Sequence, residues 1–164
     1  MGAEKKKQLG VLGLIIALVV VLVGSLVFVG AVSGWFDDPK VVLSEEYKCT
    51  ENCDAFMELD ANAYEELLKT GKSFVVFVDQ DGCTTADRLR GYVLDWASSV
   101  GVKVYRMMFS EVKKTSLHDY VKYYPSVAIV DKGMVRGYLR ADSDEDAEMY
   151  NDYDAFNEWV GRYL

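Results

Sequence analysis

Three cysteines, Cys49, Cys53 and Cys83, carry the nucleophilic chemistry of this chain, and His118 is its single imidazole. A cysteine can attack a disulfide sulfur as thiolate, bind a soft metal or close a disulfide of its own. Cys83 stands where an apolar run at 74–78 gives way to a segment with helical spacing that Thr84 or Thr85 can start. Three residues further on, where a dithiol would carry its second sulfur, the chain has Ala86. Chemistry at this loop is therefore restricted to one thiol.

Cys49 and Cys53 are four apart, so one helical turn would bring their α-carbons within the ~4.4–6.8 Å that a disulfide tolerates. A structural disulfide is the expectation; exchange with Cys83 and a zinc site are the alternatives, the latter lacking a second ligand pair because His118 is alone. No metal or cofactor is required. Asp142, Asp144 and Asp146 alternate like a calcium loop, but Ala147 replaces the needed glycine and Tyr153 the closing glutamate, so a solvated acidic loop is expected. His118, beside Asp119, is expected at the surface without a catalytic role. Tyr120, Tyr123 and Tyr124 either pack the edge of the core or line a peptide groove.

These residues need a scaffold and an address. Lys5, Lys6 and Lys7 form a basic segment at 1–8, followed by an uncharged apolar stretch at 9–33. Roughly two dozen residues at ~1.5 Å rise cross a hydrocarbon core of ~30 Å, which predicts a transmembrane signal anchor. A cleaved signal peptide, cut after Ala31-Val32-Ser33, is the alternative; the stretch exceeds the ~7–15 apolar residues of a signal h-region. Lysines before the span and Asp37-Asp38 after it predict a cytoplasmic N-terminus and an extracytoplasmic C-terminal domain on the cell membrane. Gly30 and Gly34, at the end of the span, are weak candidates for helix dimerisation. Residues 34–55 are expected as a stalk and 56–164 as one domain. Setting aside Lys5–Lys7 and Glu4, the chain carries 15 basic and 25 acidic residues, a formal charge of −10. That disfavours nucleic acid as a partner.

Within the domain, a short strand is expected at 56–59, a helix capped by Asp60 at 61–69 and ended by Gly71, and a strand at 74–79 buried on both faces. A helix follows with Leu89, Val93, Trp96 and Val100 on one face, then a strand at 102–107, a short helix at 116–123, a hairpin of 127–130 with 135–139 turning at Asp131-Lys132-Gly133, and a terminal helix carrying Phe156, Trp159, Val160 and Tyr163. Crossover helices make the early strands parallel and the tight turn makes the last pair antiparallel. The fold class is α/β, a mixed sheet flanked by helices and preceded by one transmembrane helix.

That order, with Cys83 opening the second helix and Tyr124-Pro125 immediately before the fourth strand, resembles the thioredoxin superfamily. Tyr64-Glu65-Glu66-Leu67-Leu68-Lys69-Thr70-Gly71-Lys72 leading into Phe74 looks like its first helix and central strand; Asp81-Gly82-Cys83 occupies its active-site loop; Tyr124-Pro125-Ser126-Val127 through Lys132-Gly133 is similar to its cis-proline strand and following turn. The resemblance implies that Cys83 is the nucleophile, its thiolate favoured by the helix N-terminus, that Pro125 is cis, and that Gly82, Thr84, Tyr124, Pro125 and Ser126 line the substrate groove. It also implies a buried carboxylate six residues before the nucleophile, where this chain has Phe77. With Ala86 and Phe77 both departing from the pattern, the expectation is monothiol exchange with exported proteins bearing thiols or disulfides. The alternative is a non-catalytic module that binds exported proteins in the same groove.

Overall fold

The structure, a computed structural model, describes residues 39–51 and 53–164, together with Ile16 and residues 18–21, which are helical. The basic segment 1–8, most of the expected span 9–33 and the Gly30/Gly34 pair lie outside the described residues. No described helix is long and apolar enough to cross a membrane.

The central strand β2 (Phe74–Asp79) is buried along its whole length, as its β-branched and aromatic composition requires of a strand covered on both faces. Beside it β3 (Tyr105–Met108) runs parallel, pairing Val76 with Tyr105, and β1 (Met57–Glu58) pairs parallel with the far side of β3. On the other side β4 (Ser126–Asp131) and β5 (Met134–Tyr138) continue the sheet antiparallel. The order across the sheet is β1-β3-β2-β4-β5. The β4–β5 turn places Lys132 at φ 51 and Gly133 at φ 80, the positive pair that a two-residue hairpin turn demands. A Cβ on Gly133 would stand 2.4 Å from the Leu68 carbonyl oxygen, so the turn also needs the missing side chain.

Helix α1 (Ala61–Lys69) is capped by Asp60, whose carboxylate accepts from Ala63 N at 2.8 Å. Helix α2 (Thr84–Val100) ends at Gly101 in the left-handed conformation. After β3 comes a single turn, α3 (Phe109–Val112), and the chain closes with α4 (Tyr153–Gly161). One face of the sheet packs Val75, Phe77, Val127 and Ile129 against Leu89, Val93 and Trp96 of α2 and Phe156 and Trp159 of α4. The other packs Phe74, Val76, Val78, Ala128 and Val130 against Tyr64 of α1 and Phe109, Val112 and Leu117. A helical layer on each face of one mixed sheet matches the α/β part of the expected class.

Three expectations are corrected. The segment 34–55 is not a free stalk from Lys40 onward: Val41, Leu43 and Tyr47 are buried, Val41 N donates to Tyr163 O and Ser44 N to Ser73 O. Its alternation of buried Val41, exposed Val42 and buried Leu43 is strand-like. The helix expected over 116–123 is only a 3₁₀ turn, Ser116–Asp119, preceded by α3. The strand expected over 102–107 starts later, because Val102 bridges to Lys48 instead.

Candidate active site

Cys83 is the N-cap residue of α2, in extended conformation; its carbonyl accepts from Asp87 N at 2.9 Å and its side chain makes no capping bond. Gly82, at φ 73, makes the turn out of β2. Cys83 is half-buried and is the unpaired cysteine of the chain. Across from it the Tyr124–Pro125 peptide is cis. Cys83 and Pro125 line one cleft of about 470 Å³, together with Thr85, Tyr124 and the segment after β5, from Ala141 to Asn151.

The other expected groove residues divide. Tyr124 lines the cleft and leans on Phe109, ring centroids 4.9 Å apart. Thr84 does not line it; Thr85, one residue along the first turn of α2, does. Gly82 faces a separate hollow with Asp81, Arg90 and Arg106. Ser126 is corrected from a lining residue to a buried one: its hydroxyl donates to Leu139 O at 2.7 Å, tying β4 to the end of β5. Ala86 is fully buried beneath the first turn.

Cys49 and Cys53 are joined by a disulfide with α-carbons 6.0 Å apart. Cys49 N donates to Gly101 O at 2.9 Å, beyond the C-terminal end of α2, whereas Cys83 caps its N-terminus. A 17-residue helix at ~1.5 Å per residue separates them by ~25 Å. Direct exchange between the pair and Cys83 is therefore excluded in this conformation. His118 bonds Val121 O through Nδ1 and packs on Phe109, away from the cleft. Asp146 is spent on Arg140, accepting from its backbone N at 2.7 Å and from Nε at 3.3 Å, so the alternating aspartates do not converge.

Two features had no place in the sequence reading. The first is a buried carboxylate at Asp79, the last residue of β2, fully excluded from solvent. Arg90 of α2 donates to it through Nε at 3.1 Å and Nη2 at 2.9 Å, Arg106 of β3 through Nε at 2.6 Å, and Gln80 N at 2.8 Å. Arg106 also reaches Asp81 at 3.2 Å and Glu58 at 3.3 Å, so one guanidinium fastens the Cys83 loop to β1 and β3. A lone acid closing an apolar strand, with arginines in the next two elements, is the signal that could have found it. The second is Tyr150, whose hydroxyl donates to Pro125 O at 3.0 Å. Burial pushes its phenol far above the ordinary value, and the Asp146 and Asp142 carboxylates push the same way, so it stays a neutral donor.

Among solved structures this chain is similar to a variant thioredoxin from Halobacterium salinarum, TM-score 0.52 at 14% identity, covering 70% of this chain and 95% of that one. A thioredoxin from Fasciola hepatica gives 0.51 at 14%, covering 66% and 100%. The chain has the thioredoxin fold. Mitochondrial thioredoxin 3 from Saccharomyces cerevisiae agrees, with 0.51 at 11% identity over 66% of this chain and 96% of that one. At such identities the likeness concerns the thioredoxin fold alone. No protein-family model matches the sequence, and no curated protein matches it either.

Proposed function

We propose that this protein exchanges disulfides with exported proteins through the single thiol of Cys83, on a thioredoxin-fold domain held at the outer face of a membrane by an N-terminal anchor. The observation that carries the chemistry is one cleft lined by both Cys83, at a helix N-terminus, and the cis Pro125. The thiolate of Cys83 attacks one sulfur of a substrate disulfide; that bond breaks, a Cys83 mixed disulfide forms and the other sulfur leaves as thiolate, with no net oxidation. Ala86 offers no sulfur and Cys49–Cys53 lies at the far end of α2, so an external thiol attacks the adduct and restores Cys83. The tether rests on the uncharged stretch 9–33 between Lys5–Lys7 and Asp37-Asp38.

The test is trapping. The full-length protein is mixed with a cysteine peptide activated as its thionitrobenzoate disulfide, and release of the coloured thiolate is followed while the adduct is mapped by mass spectrometry. Release matched by an adduct at Cys83, and lost in Cys83→Ser, is expected. Peptide that binds without release would refute exchange and favour the second reading, a binding module, which the missing second sulfur at Ala86 supports. Protease accessibility of the domain in intact cells, against lysed ones, checks its side of the membrane.

A further inference from the structure

One wall of the Cys83 cleft is the segment between β5 and α4, two 3₁₀ turns at Asp144–Asp146 and Glu148–Tyr150. It is bound on three sides. Arg140 holds Asp146 and Glu145, the latter at 2.6 Å; Arg88 of α2 reaches Tyr150 O and Asn151 Oδ1; Tyr92 donates to Asn151 O at 3.1 Å and Tyr150 to Pro125 O at 3.0 Å. Arg140 is thus ion-paired within the wall, while Arg88 is held by two of its uncharged oxygens.

What faces the cleft is of one sign. Asp142 and Asp144 line it, exposed, and among the described residues neither is in an ion pair; no lysine or arginine lines it. A smaller hollow of about 150 Å³ shares Ala141 and Asp142 with the cleft and continues past Tyr123 and Tyr120, with Lys122 and Arg140 at its edge. The trough therefore runs beyond the thiol in the manner of a bed for extended chain, with Asp144 in the Cys83 part, Asp142 at the junction and Lys122 and Arg140 in the further part.

Resting on the exchange reading above, we infer that the occupant of this cleft is an extended polypeptide whose reacting cysteine is flanked by lysine or arginine, selected by Asp142 and Asp144. Charge complementarity carries the assignment: a basic neighbour of the reacting cysteine meets two carboxylates that no ion pair among the described residues engages, and an acidic neighbour meets repulsion.

The experiment uses the full-length protein and two peptides identical except for lysine or glutamate beside one cysteine, each activated as the thionitrobenzoate disulfide. At low salt the basic peptide should react about 3–10-fold faster, an advantage that shrinks toward unity near ~1 M salt. Because the whole domain is acidic, the local contribution is isolated in the double variant Asp142→Asn, Asp144→Asn. There the preference should fall to less than about twofold, with the unfolding midpoint verifying the fold. Equal rates in the parent protein, or a preference untouched by the variant, would overturn the inference and leave exchange standing. No release from either peptide would overturn exchange, and the inference with it.

Discussion

Asp79→Asn tests the buried network that holds the Cys83 loop. Asn preserves the shape of the side chain but removes its charge and turns an NH₂ toward the guanidinium groups of Arg90 and Arg106. Breaking a buried ion pair by removing one partner costs about 3–5 kcal/mol. Here Asp79 is fully buried, but the Arg90 and Arg106 side chains keep 28% and 25% exposure and retain Asp87, Asp81 and Glu58 as partners. Those retained partners bring the cost to or just below the bottom of that range, about 2–3 kcal/mol. For a domain of this size that lowers the melting midpoint by roughly 5–15 °C. Urea and thermal unfolding of the full-length protein, followed by tryptophan fluorescence, read the change, since Trp96 and Trp159 share the core layer over β2. A double-mutant cycle with Arg106→Gln decides the cause: the pair should cost at least about 1 kcal/mol less than the sum of the single changes. A loss below about 1 kcal/mol for Asp79→Asn, or strict additivity in the cycle, would refute the reasoning.

Four further outcomes follow from the structure. Burial first, then neighbouring carboxylates or hydroxyls, raise the phenols of Tyr47, Tyr64 and Tyr150. The unfolded chain releases these protons near pH ~10 while the folded one keeps them, so stability is intact below ~10 and falls above it by about 1.4 kcal/mol per pH unit for each group; urea midpoints at pH 9, 10 and 11 check this. Tyr64→Phe should remove about a third of that slope and should raise stability at neutral pH, because the buried Tyr64 hydroxyl has no hydrogen-bond partner among the described residues. Tyr150→Phe strips the buried Pro125 carbonyl of its donor and should cost about 1–3 kcal/mol, with weaker saturation of the Cys83 reaction by peptide. Cys49→Ser, closing so short a ring, should cost only about 2 kcal/mol and leave the Cys83 exchange rate unchanged; an altered rate would contradict the ~25 Å separation along α2.

Legibility followed locality. Helix α1 was readable because Asp60, the apolar stripe and Gly71 are all local signals, and β2 because five consecutive buried-type residues leave no helical alternative of that length. The hairpin was readable from Lys132-Gly133. The edges were not: Val41 and Leu43 look like linker until their partners at Ser73 and Tyr163 are known, and Phe109, Val112, Leu117 and Val121 serve one core cluster from broken turns rather than from one helix. Motif order singles out Cys83, Tyr124 and Pro125, which line one cleft. Tyr150 was not, since its hydroxyl acts on a carbonyl 25 residues away, and the acidic segment shows only composition until Arg88 and Tyr92 dock it on α2.

The face of β2 explains why a single thiol is self-consistent here. Residues 77 and 79 project to the same side of the strand, toward α2. Phe77 fills its place with a ring stacked on Phe56, centroids 5.3 Å apart, while Ala86 lies fully buried in the first turn of α2. The acid that this face does carry is two residues further along, and its oxygens accept from Arg90, Arg106 and Gln80, none of which is a thiol. A second cysteine at 86 would therefore arrive fully buried, with the acid of this face already held by two guanidinium groups, and would be poorly ionised. Ala86→Cys should accordingly leave the chain a slow resolver of its own Cys83 adducts, and fast intramolecular release in that variant would show that the buried carboxylate is dispensable for handling the second proton.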